Sequence, residues 1–245
     1  MPHQKQWFQT WFNTQYYEML YQHRNTAEAA AFIDTLLNFL KPAKHDARIL
    51  DAACGNGRHS LFLAKKGFQV FGIDISAKKI KEARALEQED LIFYKHDMRK
   101  ILGINYFDYI FNFFTSFGYF EKDADDLKTI QAFAAELKTG GVLVIDFMNS
   151  EYIKSQFQKF TQFTINDLEF HITKSIVDNF IKKEILIIEG QNKKVFYEYV
   201  KLISLNTFEY YFAKCGLKLK HLFGDYSLNQ YNTMHSERLI LIAEK

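Results

Sequence analysis

Three aspartates in the first hundred residues stand where acids do chemistry, each at or just past the end of a short apolar run. Asp51 ends Ile49-Leu50, Asp74 ends Val70-Phe71-Gly72-Ile73, and Asp97 follows Leu91-Ile92-Phe93-Tyr94. After Asp51 comes a small-residue loop, Ala53-Cys54-Gly55-Asn56-Gly57-Arg58, and then a helical pattern at Leu61-Phe62-Leu63-Ala64. A strand, a tight loop and a helix N-terminus form the unit with which α/β proteins bind nucleotides. Glycines let the backbone approach a ligand where a Cβ would collide, and the helix start presents unpaired N–H groups. Gly55 to Ser60 matches a dinucleotide fingerprint, except that Ser60 stands at the last glycine position. Asp51 at the loop mouth would repel a pyrophosphate and would suit a ligand carrying an ammonium or a sulfonium. Asp74, at the end of the second strand, can accept from both hydroxyls of a ribose.

One acid for a cationic amino-acid end and another for a ribose describe S-adenosylmethionine better than NAD. Five stretches carry the comparison further: Leu50 to Arg58; Gly72-Ile73-Asp74-Ile75-Ser76; His96-Asp97-Met98; Phe107-Asp108-Tyr109-Ile110 leading into Asn112-Phe113-Phe114; and Leu137 to Leu143. In these, over roughly residues 44 to 148, the sequence resembles the class I S-adenosylmethionine-dependent methyltransferases. The resemblance implies a Rossmann-like, mostly parallel seven-stranded sheet. It implies S-adenosylmethionine as cofactor, held by Asp51, Ala53, Gly55, Asn56, Gly57, Arg58, Asp74, Ile75, Asp97, Met98 and Phe113. Asp97 would accept from the adenine amino group while Met98 packs on the ring. Ala53 departs from the family, which more often has glycine there.

The elements that must position these residues follow from periodicity and punctuation. Residues 7 to 40 read as helical, with Trp7, Phe8, Trp11, Phe12 and Tyr16 at four-residue spacing, an Asn25 cap, and Ile33, Leu36, Leu37 and Leu40 on one face. Ser76 can cap the helix carrying Ile80, Ala83 and Leu86. Leu127, Ile130, Ala134 and Leu137 form a further stripe. The strands are continuous apolar runs, as in a parallel sheet covered on both faces. From about residue 157 to 203 the period becomes two, as in antiparallel hairpins. A last helix opens near Asn206 and stops at Gly216, and two closing strands follow. The expected organisation is an N-terminal helical lid (1–43), a cofactor-binding core (44–149 and 204–245) and an antiparallel β insertion (150–203) acting as a substrate lid. On this reading the aromatic leader, residues 7 to 24, closes over the cofactor from one side, with Tyr17, Tyr21 and Arg24 facing it. The insertion walls the acceptor from the other side.

Composition narrows the partners. A net charge of +2, from 31 basic and 29 acidic residues, argues against a broad nucleic-acid footprint. The stretch after Asn112 lacks the paired prolines by which amino-methylating DNA enzymes hold a flipped base, and neither Cys54 nor Cys215 follows a proline. Thr115 to Phe120 resembles instead the loop of small-molecule methyltransferases carrying a β insertion. A small-molecule methyl acceptor is expected, methylated on nitrogen or oxygen, and no nucleic acid. No run is long enough for a membrane span, and the polar start and two cysteines fit a cytoplasmic protein. Cys54 reads as a packed residue, and His59 as one that packs or hydrogen-bonds locally. No cluster has metal-ligand spacing, so no metal is expected. Tyr119, Glu121, Asp146 and His235 are the candidates for a general base, Tyr119 and His235 foremost. A non-catalytic S-adenosylmethionine-binding regulator and an NAD-dependent oxidoreductase are the alternatives. The residues leave open the acceptor and the choice of monomer or homodimer.

Overall fold

The apolar runs of the first half line up side by side, and the alternating stretch builds a sheet of its own. In the computed structural model, which describes residues 7–21, 26–43 and 47–245, the leader forms α1 (Trp7–Trp11), α2 (Gln15–Tyr21) and α3 (Thr26–Leu40). The core follows with β1 (Arg48–Ala52), α4 (Arg58–Lys65), β2 (Gln69–Asp74), α5 (Ala77–Ala83), β3 (Leu91–Lys95), β4 (Phe107–Asn112), α6 (Asp123–Glu136) and β5 (Leu137–Met148). After α7 (Ser150–Ser155) come β6 (Phe160–Ile165), β7 (Leu168–Val177), β8 (Phe180–Glu189) and β9 (Asn192–Lys201). The chain returns to the core with α8 (Leu205–Lys214), β10 (Lys218–Phe223) and β11 (Arg238–Glu244).

The larger sheet has the order β10-β11-β5-β4-β1-β2-β3. β5, β4, β1, β2 and β3 are parallel, and β11 runs antiparallel to both neighbours. Its central strands are buried on both faces. On one, Leu50, Ile110 and Ile145 pack with Ile130, Phe133, Phe208 and Phe212 of α6 and α8. On the other, Ile49, Val70 and Phe111 pack with Phe32, Leu36, Leu63 and Ile80 of α3, α4 and α5. Chain order reverses between β1 and β4, and a crevice opens at such a switch point beyond the carboxyl ends of the strands. The loops after β1 and β4 flank it.

Local chemistry explains most boundaries. The Ser76 hydroxyl accepts from Lys79 N–H at 3.1 Å and caps α5, as expected. The last helix is capped by Ser204, two residues ahead of the expected start, through Thr207 N–H. Leu137 begins β5 rather than ending the preceding helix. The Asn25 cap lies outside the described residues. The insertion has one strand more than the hairpins named from sequence, because β6 is joined to β7 by Asn166-Asp167. There, and at Asp178-Asn179 between β7 and β8, both turn residues have positive φ, between 47° and 63°. This is the type I′ pattern that matches the twist of a hairpin, and Asn and Asp tolerate it better than other non-glycine residues.

The insertion is the four-stranded antiparallel sheet β6-β7-β8-β9. One of its faces, with Phe170, Ile172, Ile185 and Ile187, is covered by Trp7, Trp11, Tyr16 and Leu20 of the leader. The aromatic leader therefore has a core to fill, and that core is the insertion.

Candidate active site

The crevice at the switch point holds a cavity of about 410 Å³. Its floor comes from four strand ends. Asp51, Ala53, Gly55, Asn56 and Arg58 line it after β1; Asp74 and Ile75 after β2; Asp97 and Met98 after β3; and Phe113 after β4. Tyr17, Tyr21 and Tyr119 line it from above. All these had been singled out in the sequence, and the fold brings them to one place.

The two principal acids are held differently. Asp51 is 2% exposed, and Ser60 Oγ donates to its Oδ2 at 2.5 Å. Burial pushes its carboxyl up to about 6, against the Ser60 bond and with help from the Asp74 charge. Ser60, the residue that spoils the dinucleotide fingerprint, thus serves the acid. Asp74 accepts from Ser76 N–H at 2.7 Å and from Gly55 N–H at 3.0 Å. Burial raises its carboxyl too, despite these two bonds. A carboxylate has about four lone-pair sites, so two fixed bonds leave acceptor capacity for a diol. Gly55 has φ +58° and open space where a Cβ would stand, which leaves bare backbone beside Asp74.

Other residues take roles that differ from expectation. Gly57 does not line the cavity. It precedes α4 with φ +80°, and a Cβ on it would lie 2.4 Å from the Phe93 ring, so packing requires the glycine there. Ala53 lines the cavity at φ +65°, a conformation disfavoured for any residue with a Cβ. Asp97 is forked by Arg99, whose Nη2 donates at 2.6 Å and Nε at 3.0 Å. Burial opposes ionisation of Asp97, but the Arg99 bonds outweigh it and hold the carboxyl below its usual range. Much of its acceptor capacity is therefore spent within the protein rather than reserved for an adenine.

Among the base candidates only Tyr119 lines the cavity, with its ring 5.6 Å from Trp7 and 5.5 Å from Phe12. Glu121 is exposed outside the cavity, and His235 sits in an exposed turn, its N–H bonded to Asn232. A residue that ends in solvent before a strand cannot be distinguished by spacing from one that ends in the crevice. Asp146 is fully buried and paired with Arg238 at 2.6 Å. It accepts from Phe114 N–H, while Arg238 also donates to Thr115 Oγ1. Phe114 and Thr115 both have positive φ. The Asp146–Arg238 pair thus fixes the shape of the loop after β4. Arg24 lies outside the described residues. His59 stacks on Phe114 with centroids 4.8 Å apart, and burial, aided by Arg58, pushes it down to about 3. It stays neutral and packs, as expected. Burial keeps the Cys54 thiol protonated.

The leader contributes more than expected, and the insertion less. Phe8, Phe12 and Glu18 join Tyr17 and Tyr21 in the cavity wall, whereas none of the lining residues comes from the insertion. Where the sequence reading has residues 150–203 wall the acceptor from the other side, the structure has the insertion back the leader, and it is the leader that lines the cavity. The leader is also tied to the core at α5. Ser76 Oγ and Asn13 Oδ1 are 2.5 Å apart, Lys78 Nζ donates to the Asn13 carbonyl at 2.9 Å, and Lys79 Nζ donates to Glu18 at 2.5 Å. A lysine three residues into a capped helix carries no sequence mark of such a role.

Acids at the ends of the first two strands, bare backbone between them and a partly aromatic wall suit a ligand with a cationic end, a diol and a flat ring. Comparison with known proteins agrees. A family model described as a methyltransferase domain matches residues 43–185, more than half of the chain. The chain belongs to this family and is an S-adenosylmethionine-dependent methyltransferase. It is similar to YqeM of Bacillus subtilis (strain 168), named a candidate methyltransferase, with 28% identity over 81% of this chain and 84% of that one. A glycine/sarcosine N-methyltransferase of Aphanothece halophytica is 32% identical over 53% of this chain and 49% of its own length. The fold matches the crystal structure of an S-adenosylmethionine-dependent methyltransferase from Clostridium acetobutylicum ATCC 824. The TM-score is 0.78, at 18% identity, over 94% of this chain and 95% of that one.

Proposed function

We propose that the chain methylates an amine nitrogen of a small molecule held under the leader. S-adenosylmethionine, when bound, supplies an electrophilic methyl carbon on a sulfonium and departs as a neutral thioether. The chain's part is to hold, orient and exclude water. Asp74 takes the ribose hydroxyls, Asp51 the cationic amino-acid end, and Met98 and Phe113 the flat ring. The rings of Phe8, Phe12, Tyr17, Tyr21 and Tyr119 close the remaining space. Orientation in such a site can supply about 7–11 kcal/mol of the barrier, and a dry site keeps water from competing as nucleophile.

The observation that carries the amine is this aromatic wall beside buried acid. Aromatic faces attract a cationic nitrogen by about 0.5–2 kcal/mol each, and methylation of an amine develops that charge. An amine can release its proton to solvent before it attacks, whereas an alcohol keeps its proton until the transition state and would need a positioned base. Of the four candidates only Tyr119 reaches the cavity, and Asp51 is already bonded to Ser60. The glycine/sarcosine relative, whose name specifies N-methylation, supports the same class. Two unbridged cysteines and a nearly balanced charge suit a cytoplasmic enzyme of small molecules.

The test is incubation with S-adenosylmethionine and parallel panels of small amines, small alcohols and nucleic acids, read by mass spectrometry. Release of S-adenosylhomocysteine with methylated amine is expected. Turnover confined to alcohols or nucleic acids would overturn the acceptor class. Cofactor binding with no turnover on any panel would favour a regulatory role.

A further inference from the structure

The leader and the insertion meet at one buried acid. Glu198 on β9 is 5% exposed. Its Oε1 accepts from Trp11 Nε1–H at 2.7 Å and from the Tyr21 hydroxyl at 2.6 Å. Its Oε2 lies 2.9 Å from Lys183 Nζ. Lys183 also donates to the Tyr21 hydroxyl at 2.9 Å and sits over the Tyr21 ring, 5.4 Å from its centroid. Burial opposes the charge on Glu198, but Lys183 and the Tyr21 and Trp11 donors outweigh it and hold the carboxyl below its usual range. Tyr21 lines the cavity; Glu198 and Lys183 do not.

This arrangement bears on what Tyr21 can do. Its hydroxyl donates to Glu198 and accepts from Lys183, so it is turned toward the insertion. What it brings to the cavity is the ring. An apolar contact such as Trp11 and Leu20 on Phe170 and Ile185 is non-directional. Charge-assisted hydrogen bonds are directional and stronger than neutral ones. Without them the leader would still cover the insertion, but the Tyr21 ring would lose the directional bonds that turn its hydroxyl toward Glu198 and Lys183.

We propose that Glu198 is a positioning residue for the methyl-transfer site: acting through Tyr21, it aims the wall that the leader presents to the cofactor. The insertion then serves as the base from which the lid is aimed. The proposal rests on the reading of the cavity as the S-adenosylmethionine site.

The test uses full-length protein and S-adenosylhomocysteine as the probe, with affinity measured by calorimetry well below each variant's melting temperature. Glu198→Gln keeps one acceptor and loses the charge. Tyr21→Phe loses only the hydroxyl and leaves Glu198 paired with Lys183 and Trp11. Each is expected to weaken binding about tenfold, the worth of one hydrogen bond to a charged group. The double variant should be no weaker than either single one, because both act through the same bond. Affinity unchanged in Tyr21→Phe overturns the proposal, even if Glu198→Gln fails to fold. So does a lowered melting temperature with unchanged affinity in Glu198→Gln, which would make the acid structural only. Failure of the unmodified protein to bind S-adenosylhomocysteine would remove the cofactor reading itself, a result separate from either of these.

Discussion

Asp51 should make cofactor binding depend on pH, with a sign set by its burial. In the free protein its carboxyl titrates at about 6 instead of the ordinary 3.8, chiefly because it is desolvated. A bound cationic group beside it would favour the ionised form and draw that value back down. Below about pH 6 the cofactor must therefore displace a proton, and affinity should fall as pH falls. Above that pH the acid is already ionised and the dependence should vanish. Returning the acid from about 6 to its ordinary 3.8 is worth about 3 kcal/mol, about a hundredfold in affinity. Calorimetry in two buffers of different ionisation heat should show close to one proton released per cofactor bound near pH 5, and none at pH 8.

Asp51→Asn isolates the effect, because the amide oxygen can still accept from Ser60. At pH 7.5 it should bind S-adenosylmethionine up to about a hundredfold more weakly, and the proton release near pH 5 should shrink. The free protein should move in the opposite direction. A group whose folded value is raised adds stability below its unfolded value of 3.8 and loses it as pH rises through about 6. At neutral pH the ionised acid is thus a cost to the unliganded fold, and the amide should melt at a higher temperature. Affinity independent of pH between 5 and 8 in the unmodified protein would refute the reasoning, whatever the variant does.

Asp74→Ala should weaken S-adenosylmethionine binding at least about tenfold, and it should also lower the melting temperature, because Gly55 and Ser76 N–H lose their acceptor; an unchanged titration curve would rule out the ribose role. Ala53→Gly relieves a left-handed residue that carries a Cβ and should stabilise the fold by about 0.5–1 kcal/mol in urea denaturation. Glu136 is buried, with no partner for Oε2 among the described residues, and burial pushes it from 4.5 up to about 7. Its stabilising contribution is therefore present below pH 4.5 and lost as pH rises through 7, by about 3 kcal/mol; Glu136→Gln, keeping the bond from Leu102 N–H, should flatten that slope in melts across the range. Removing residues 1–24 uncovers Phe170, Ile172, Ile185 and Ile187, so the truncated protein should bind a hydrophobic dye as well as lose cofactor affinity. A truncated protein that stays dye-free would show that the insertion does not depend on the leader.

The core was legible because each of its signals is local. A run of apolar residues ending in Asp51 or Asp74 specifies both a strand and what stands at its carboxyl end, and the switch point follows from chain order. The acids therefore fell where expected, and so did Met98 and Phe113. Gly57 shows the limit of this reasoning. A glycine in a ligand loop and a glycine under a phenylalanine look alike in sequence, and only the position of Phe93, thirty-six residues on, distinguishes them. Asp97 lies at the cavity, but its pairing was illegible for a related reason: Arg99 stands two residues away, yet spacing does not say whether that arginine turns to solvent or back to the acid.

The leader and the insertion were illegible in a different way. Four-residue spacing of Trp7, Trp11 and Phe8, Phe12 says that a face is buried, and alternation from Leu168 to Ile172 says the same of a strand. Neither says against what. Two unpartnered apolar faces in one chain admit each other as a solution, and that is the one the fold adopts. The consequence reaches the cavity. With the tryptophans committed to the insertion, Phe8, Phe12, Tyr17 and Tyr21 pack at the edge of the same cluster, and these are the leader rings that line the site. The leader's rings in the cavity are thus backed by a sheet that contributes none of the lining residues. Substitutions on the buried face of that sheet should therefore alter cofactor affinity from outside the site, as an edited leader would from within it.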